Sequence, residues 1–299
     1  SGVYQSQFGS SGSGNGQFNN PLGISVDSSN NIYVADQQND NVQKFNSSGV
    51  YQSQFGSSGS GNGQFNNPLG ISVDSSNNIY VADQQNDNVQ KFNSSGVYQS
   101  QFGSSGSGNG QFSSPQAIAF DGSNNIYIVD RSNNRVQKFN SSGVYQSQFG
   151  TGGWGNGQFQ YPIGITINTA DEIFILERNN PRVQKFNSSG VYQSQFGAQG
   201  SGDGQLSYPQ GIAMDNTGNI YISDGEDHRL QKFNSSGVYQ SQFGHDIDND
   251  QLYSPYGITI DSNGDILIVD TDNHQVNRFN SSGVYQSQFG SYGSGNGKF

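Results

Sequence analysis

Hydrophobic residues recur in short runs along the chain, and the first runs alternate with polar or small residues. In residues 21–27 (PLGISVD), Ile24 and Val26 occupy alternate positions, and residues 31–36 (NIYVAD) form a second short run. Alternation over a few residues predicts β-strands, which we call strands a and b. Residues 27–31 between them are Asp, Ser and Asn, whose side chains bond to their own backbone. A hairpin is therefore expected.

Two further strands follow in the same unit. After the loop 37–41, residues 42–45 (VQKF) predict strand c, and residues 50–55 (VYQSQF) predict strand d. The Asn-Ser-Ser-Gly turn at 46–49 joins them. Because no stretch of the chain has helical periodicity, the unit is predicted to be a four-stranded antiparallel meander.

The four-strand pattern repeats along the chain with a period of about 47 residues. Residues 1–65 recur as 48–112 without a single change, which indicates recent amplification or deliberate copying. The sequence VYQSQFG begins at Val3, Val50, Val97, Val144, Val191, Val238 and Val284. The proline that opens strand a falls at Pro21, Pro68, Pro115, Pro162, Pro209 and Pro255. The prolines therefore mark six units.

Six four-stranded units in tandem predict an all-β fold, because such units bury their faces only by packing on neighbours around an axis. We expect one domain over residues 1–299, a six-bladed β-propeller with four antiparallel strands per blade. The repeat follows the pattern Pro-x-Gly-Ile-x-x-Asp, then Asn-Ile-Tyr-x-x-Asp, then Arg-Val-Gln-Lys-Phe, then Phe-Gly-x-x-Gly-x-Gly-x-Gly-Gln-Phe. This pattern resembles the NHL repeat family over nearly the whole chain.

The chain departs from the family pattern at the arginine that precedes strand c. Three units carry it as Arg135, Arg182 and Arg229, whereas the other three have Asn41, Asn88 and Gln275. Any contact between strands that the family makes through this arginine is expected to be lost in those three units.

A count of strands leaves one outer strand in excess. Residues 3–8 and 284–289 have the same sequence, VYQSQF, and both fit strand d of the last blade. We expect the two to compete for closure of the ring, with one left redundant. A free outer strand of this kind makes a strand-exchange dimer possible, although a monomer is the expectation.

Charge and composition exclude several function classes. The net charge of −11 argues against nucleic acid, which requires clustered Lys and Arg. No apolar run approaches the length of a membrane span, so no membrane insertion is expected. The Asn-Ser-Ser turns are glycosylation sequons in an exported protein, although their turn chemistry accounts for them without sugar. The compartment stays open, with an extracellular or cell-surface location slightly favoured.

The loops divide the propeller into a uniform face and a variable face. Every c–d turn is Asn-Ser-Ser-Gly, whereas the b–c loops differ from unit to unit, and variable loops commonly carry binding chemistry. Aromatic residues near the start of strand a are concentrated in units four to six, where they could stack on a ligand. The candidate ligand-binding residues are Trp154, Tyr161, Arg178, Arg182, Tyr208, Arg229, Tyr253 and Tyr256.

A metal site is a weaker candidate on the same face. The three aspartates after His245 have the alternating spacing of a calcium loop, but Gln251 and Gly257 occupy the positions of its glycine and its last carboxylate. The candidate calcium or zinc ligands are His228, His245, Asp246, Asp248, Asp250 and His274. The alternative interpretation is a solvated acidic loop, and no cofactor is expected.

The leading hypothesis is a non-catalytic scaffold that binds a protein, a peptide or a small ligand on the variable face. No nucleophile, base and orienting acid recur together, and the chain has no Cys and three His. One alternative is a designed or recently amplified propeller without a selected ligand. The other is a metal-dependent lyase, which the resemblance to NHL propellers implies through channel histidines on different blades. Here the histidines occupy one sector, so we predict that the chain is not an enzyme.

Overall fold

The computed structural model describes residues 12–244 and 251–290, and its regular structure there is almost entirely β. Six antiparallel sheets each contain four strands in chain order, as predicted. Blade 1 comprises β1 (Pro21–Val26), β2 (Ile32–Asp36), β3 (Asn41–Phe45) and β4 (Tyr51–Phe55). Blade 2 comprises β5 (Pro68–Val73), β6 (Ile79–Asp83), β7 (Asn88–Phe92) and β8 (Tyr98–Phe102). Blade 3 comprises β9 (Pro115–Phe120), β10 (Ile126–Asp130), β11 (Arg135–Phe139) and β12 (Tyr145–Phe149).

The remaining blades repeat this order. A small parallel pair, β13 (Thr151–Gly152) and β14 (Gln158–Phe159), lies in the loop between blades 3 and 4. Blade 4 comprises β15 (Pro162–Ile167), β16 (Ile173–Glu177), β17 (Arg182–Phe186) and β18 (Tyr192–Phe196). Blade 5 comprises β19 (Pro209–Met214), β20 (Ile220–Asp224), β21 (Arg229–Phe233) and β22 (Tyr239–Phe243). Blade 6 comprises β23 (Pro255–Ile260), β24 (Ile266–Asp270), β25 (Gln275–Phe279) and β26 (Tyr285–Gly290).

Burial follows the position of each strand in its blade. Every residue of strand b is buried, because the middle of a blade packs against a neighbouring blade on both faces. The central residues of strand d are exposed, which explains the Gln and Ser that fill this strand. Strand a is the inner edge, and the six copies enclose a central channel with a cavity of about 370 Å³.

The hydrophobic core is divided into six clusters, each shared by two neighbouring blades. Between blades 1 and 2, the Phe92 ring packs 5.5 Å from Phe65 and 4.7 Å from Phe55, measured between ring centroids. Aromatic pairs at these spacings add to the free energy gained from area burial. The described helical segments are two 3₁₀ turns, Gln37–Asn39 and Thr271–Asn273, and neither could cross a membrane.

Blade 6 is completed by its own chain segment. Strand β26 pairs with β25 throughout, so the C-terminal candidate occupies the outer position. The competing segment 3–8 lies outside the described residues. The seam between blades 6 and 1 is closed by side chains, with the Phe45 ring 5.3 Å from Phe289 and 5.5 Å from Phe18. The Thr271 hydroxyl also donates to the Pro21 carbonyl at 3.1 Å.

A buried ion pair joins strands b and c in blades 3 to 5. In blade 3, the Arg135 Nε donates to Asp130 at 2.8 Å, and its Nη2 donates to the carbonyls of Gly108 and Gln111 in the preceding loop. Gln137 donates to the same carboxylate at 3.1 Å. Both members of the pair are buried, so a single guanidinium neutralises the carboxylate and ties two strands to a loop.

The predicted loss of this contact in the other three blades is observed in two of them. Asn41 is too short to reach the blade 1 carboxylate, and within the described residues its buried Oδ1 has no partner; Asn88 repeats this in blade 2. In blade 6, Gln275 does reach Asp270, at 2.9 Å, but it is neutral.

The carboxyls at the end of strand b have altered pKa values. Burial raises the pKa of Asp36, Asp83 and Asp270, which have no arginine beside them, to about 6. Burial also outweighs the ion pair with Arg229 in blade 5, where it raises the pKa of Asp224 to about 6. The ionised form of each carboxyl is therefore destabilised in the fold.

Candidate functional site

The variable loops meet at one end of the central channel. Each strand a begins opposite the end of strand b, as Pro21 opposite Asp36, so the start of strand a and the b–c loop share one face. The residue after each proline and the first residue of each b–c loop surround the axis there. In blades 1 and 2 these are Leu22, Gln37, Leu69 and Gln84, and in blades 3 to 6 they are Gln116, Arg131, Ile163, Arg178, Gln210, Gly225, Tyr256 and Thr271.

A chain of hydrogen bonds crosses this end of the channel. Arg131 donates to the Gln116 amide oxygen at 3.1 Å, and the Gln116 amide donates to the Tyr256 hydroxyl at 2.9 Å. From the other side Arg178 donates to the same hydroxyl at 3.3 Å and to the Gln210 amide oxygen. With Gln84, these five residues form what we call the channel mouth. Blades 2 to 6 all contribute to it.

The amide of Gln84 completes the contacts of Arg131. When the amide takes the orientation that its surroundings require, its oxygen accepts from the guanidinium at 2.8 and 3.2 Å. The acceptors that the structure gives these two guanidiniums are therefore neutral amides and a phenol. Amide oxygens satisfy the donors of a guanidinium without neutralising its charge.

Tyrosine rings support the two arginines from the side. The Arg131 guanidinium carbon lies 4.8 Å from the Tyr161 ring centroid, and that of Arg178 lies 4.7 Å from Tyr208 and 5.8 Å from Tyr256. Cation–π contacts at this distance stabilise a cation without supplying a counter-charge. The rings also restrict where each guanidinium can point.

Charge balance sets the two mouth arginines apart from the others. The described residues include all six arginines of the chain, and four of them pair with a carboxylate within 4 Å: Arg135, Arg182, Arg229 and Arg278. Arg131 and Arg178 form no such pair among the described residues. Their Nε atoms are buried and likewise have no hydrogen-bond partner there. The mouth is thus a positive spot on a protein of net charge −11.

Two of the supporting tyrosines sit on unfavourable backbone. Tyr161 has φ 61° and Tyr208 has φ 55°, in the left-handed region that disfavours bulky residues. At the same position blades 1 and 2 have Asn20 and Asn67, also left-handed, and asparagine tolerates this conformation. The chain therefore keeps a ring beside each arginine at the expense of local backbone strain.

We expect the Tyr208→Asn variant to have an unfolding temperature at least as high as that of the parent protein. Relief of the left-handed strain, about 1 kcal/mol, offsets the loss of a half-exposed ring and its cation–π contact, also about 1 kcal/mol. Thermal unfolding measures the change, with Tyr208→Ala as the matched control that loses the ring but gains no tolerance of positive φ. A Tyr208→Asn variant less stable than Tyr208→Ala would contradict this account.

The structure brings together part of the predicted ligand set. Tyr161, Arg178, Tyr208 and Tyr256 lie at or beside the mouth. Two other predicted residues, Arg182 and Arg229, lie elsewhere, because the register of strand c turns them into the blade. They are buried against Glu177 and Asp224 at 2.6 and 3.0 Å, and are occupied as structural ion pairs.

The two remaining aromatic candidates stand apart from the mouth. Trp154 is 64% exposed in the loop before blade 4. Tyr253 packs against the His228 ring, 5.4 Å between centroids, and its backbone N–H donates to Asp270. Both lie on loops that lead into strand a, outside the hydrogen-bonded chain.

The candidate metal ligands are only partly within the described residues. The His228 Nδ1 accepts from the Ser254 N–H at 3.1 Å, just as Asp40 of blade 1 accepts from the N–H of Asn67, the corresponding residue of blade 2. This histidine therefore links neighbouring blades. His274 takes the equivalent place in blade 6, where burial lowers its pKa. The other four candidates, His245, Asp246, Asp248 and Asp250, lie outside the described residues. Within the described part of the chain, no three metal-ligating residues cluster.

Sequence reasoning missed four of the six residues of the mouth. Gln84, Gln116, Arg131 and Gln210 were not among the predicted site residues, although a signal was present. The residue after the proline is leucine in blades 1 and 2 (Leu22 and Leu69) and glutamine in blades 3 and 5. The first residue of the b–c loop is glutamine in blades 1 and 2 and arginine in blades 3 and 4. Substitution of apolar by polar residues at one repeat position identifies the side chains that face the axis.

Comparison with known proteins supports the fold but assigns no function to the chain. A model of the NHL repeat matches residues 206–233 and 252–279, and a 6-bladed beta-propeller model (DUF5128) matches 28–86 and 75–149. No curated protein sequence matches.

Solved structures with similar folds have diverse roles. A virginiamycin B lyase from Staphylococcus aureus, crystallised with quinupristin as an inactive variant, is 15% identical, with TM-score 0.64 over 91% of this chain and 84% of the lyase. A gluconolactonase from Xanthomonas campestris is 12% identical, with TM-score 0.65 over 86% and 85%. A chain in a nidogen/laminin complex is 14% identical, with TM-score 0.64 over 85% and 91%. The chain is a six-bladed β-propeller that contains NHL repeats.

Proposed function

We propose that the chain is a binding propeller that takes a small ligand at the channel mouth. The observation that carries the proposal is the chain of hydrogen bonds from Arg131 through Gln116 and Tyr256 to Arg178, which joins blades across the axis. Convergent polar groups around a channel that leads into a cavity are typical of ligand sites.

The chemistry of these groups favours binding over catalysis. Guanidiniums and amides hold and orient a ligand, and a guanidinium stays protonated, so it does not act as a general base. The fold itself is compatible with either role, since a lyase, a lactonase and a member of a protein complex share it. A binding role is proposed on the side chains alone.

A screen with a matched double variant tests the proposal. Gln116→Leu/Gln210→Leu places at the mouth the leucine that blades 1 and 2 already carry, so the variant is expected to fold. We expect several small polar metabolites from a defined library to raise the unfolding temperature of the parent protein by a few degrees. The same compounds should leave the double variant unchanged.

Two results would count against the proposal. Shifts of equal size in the double variant would place the ligand elsewhere, and a screen without any shift would favour an amplified propeller that has no selected ligand. Conversion of a bound compound, followed by mass spectrometry, would show that the protein is an enzyme.

A further inference from the structure

We propose that the ligand of the channel mouth is a small organic dicarboxylate, an inference that rests on the binding function proposed above. The starting point is the charge at the mouth. Arg131 and Arg178 have no carboxylate within 4 Å among the described residues, whereas the other four arginines of the chain all do. A fold that pairs its arginines so consistently leaves two cations for a ligand.

Nearby carboxylates are already committed to other donors. Asp130 and Glu177, which end strand b in the same two blades, accept from Arg135 and Arg182 at 2.8 and 2.6 Å. On the loops, Asp87 accepts from the Ser114 N–H at 2.8 Å. The described residues beside the mouth therefore supply no counter-charge that could swing onto it without breaking a bond.

Further acidic residues of the same face are held in the same way. Asp227 lies 3.0 Å from Arg229, Glu226 accepts from Ser207 at 2.8 Å, and Asp272 accepts from the Ser254 hydroxyl at 2.5 Å. The positive charge of the mouth is therefore bordered by satisfied carboxylates.

The donors that remain free point to an anion. The Tyr256 oxygen accepts from both Gln116 and Arg178, and since those groups only donate, the hydroxyl proton has no acceptor among the described residues. The buried Nε atoms of Arg131 and Arg178 are unpartnered as well. Unsatisfied donors in a partly buried site are costly unless a ligand supplies acceptors.

Geometry favours carboxylate as the anion. A guanidinium presents parallel N–H donors that match the two oxygens of a carboxylate, and each mouth guanidinium is held by tyrosine contacts and by amide hydrogen bonds. The two guanidiniums belong to different blades, on either side of the Gln116–Tyr256 link. Two separate cations are matched by a ligand with a carboxylate at each end. The adjoining cavity of about 370 Å³ is lined by Gln116, Gln210 and Tyr256 of the mouth and leaves room for a molecule of this size.

Isothermal titration at low ionic strength tests this inference. The probes are malonate, succinate, glutarate and adipate, each with its diamide as a neutral control of the same carbon skeleton, together with inorganic phosphate. We expect at least one dicarboxylate to bind at least about tenfold more tightly than its diamide, because hydrogen bonds between a guanidinium and a charged carboxylate are stronger than those to a neutral amide. Phosphate should bind more weakly than that dicarboxylate.

Matched variants assign the effect to the two arginines. Arg131→Gln and Arg178→Gln place at the mouth the residue that blades 1 and 2 carry there, Gln37 and Gln84, so both variants are expected to fold. Each should weaken the dicarboxylate at least about tenfold. Lys91→Gln removes the same charge at a side chain that lies over the Tyr80 ring, and it should leave the affinity unchanged.

The outcomes separate this inference from the binding function. Equal affinity for a diacid and its diamide would overturn the dicarboxylate inference and leave the binding site standing. The same conclusion would follow if no dicarboxylate bound while the metabolite screen still found compounds that depend on Gln116 and Gln210. Phosphate binding as tight as the best dicarboxylate would overturn the selectivity for carboxylate. If neither the titration nor the screen detected binding, the proposed binding function would be contradicted as well.

Discussion

Replacing Arg135 with Asn is expected to lower the free energy of unfolding by about 3 kcal/mol at pH 7.5, since it leaves a buried carboxylate without its cation. The guanidinium neutralises Asp130 and also donates to two loop carbonyls, Gly108 and Gln111. Urea denaturation monitored by fluorescence measures the loss.

The reciprocal substitution is the control. Asn41→Arg introduces the missing guanidinium in blade 1, where Asp36 and the carbonyls of Gly14 and Gln17 stand at the same sequence offsets as their blade 3 counterparts. It should stabilise the protein at pH 7.5 and remove the unpartnered buried Oδ1 of Asn41. A loss below about 1 kcal/mol for Arg135→Asn, the range of a surface ion pair, would show that the pair adds little.

Acidification from pH 7.5 to pH 5 is expected to stabilise the protein by several kcal/mol. Burial raises the pKa of Asp36, Asp83 and Asp270 to about 6, above the ordinary value of 3.8. A carboxyl with a raised pKa contributes stability that is fully present below its unfolded pKa and is lost as the pH rises through 6. One pKa unit corresponds to about 1.4 kcal/mol, so each group contributes about 1 kcal/mol over this range.

Carboxyls with a lowered pKa set the acid limit. Hydrogen bonds from Asn125 and Asn219, and Lys185 beside Glu172, hold the pKa values of Asp121, Asp215 and Glu172 below their ordinary values. Their contribution is lost only at lower pH, so we expect maximal stability between about pH 4 and 5. Denaturation midpoints across the pH range test this. A flat or rising profile from pH 5 to 7.5 would refute the assignment.

Strand positions could be predicted from the sequence because every unit repeats the same alternation. The predicted strands a at 21–27 and c at 42–45 correspond to Pro21–Val26 and Asn41–Phe45. A repeat confines errors of this kind to a residue or two, since one misplaced boundary would have to recur six times. The parallel pair at 151–152 and 158–159 was not predicted, because two-residue bridges inside a glycine-rich loop have no periodicity.

The candidate site was harder to predict because neighbouring loop residues point in opposite directions. Arg178 starts its b–c loop and faces the axis, whereas Arg182, four residues later, turns into the blade against Glu177. The tight turn between them decides the direction, and loop composition does not reveal it. The b–c hairpin register, with position 177 opposite 182, would have identified the buried pair in advance.

The structure of the seam between blades 6 and 1 bears on how the number of blades in such a ring can change during evolution. Strand β26 belongs to the same stretch of chain as the rest of blade 6, so within residues 12–244 and 251–290 no blade is shared between distant segments. The seam uses the same kind of aromatic packing as its neighbours. Every blade is thus an interchangeable module. Duplication of a gene segment of about 47 codons inserts a complete blade without breaking a blade that is built from two distant segments. This accords with the identity of residues 1–65 and 48–112.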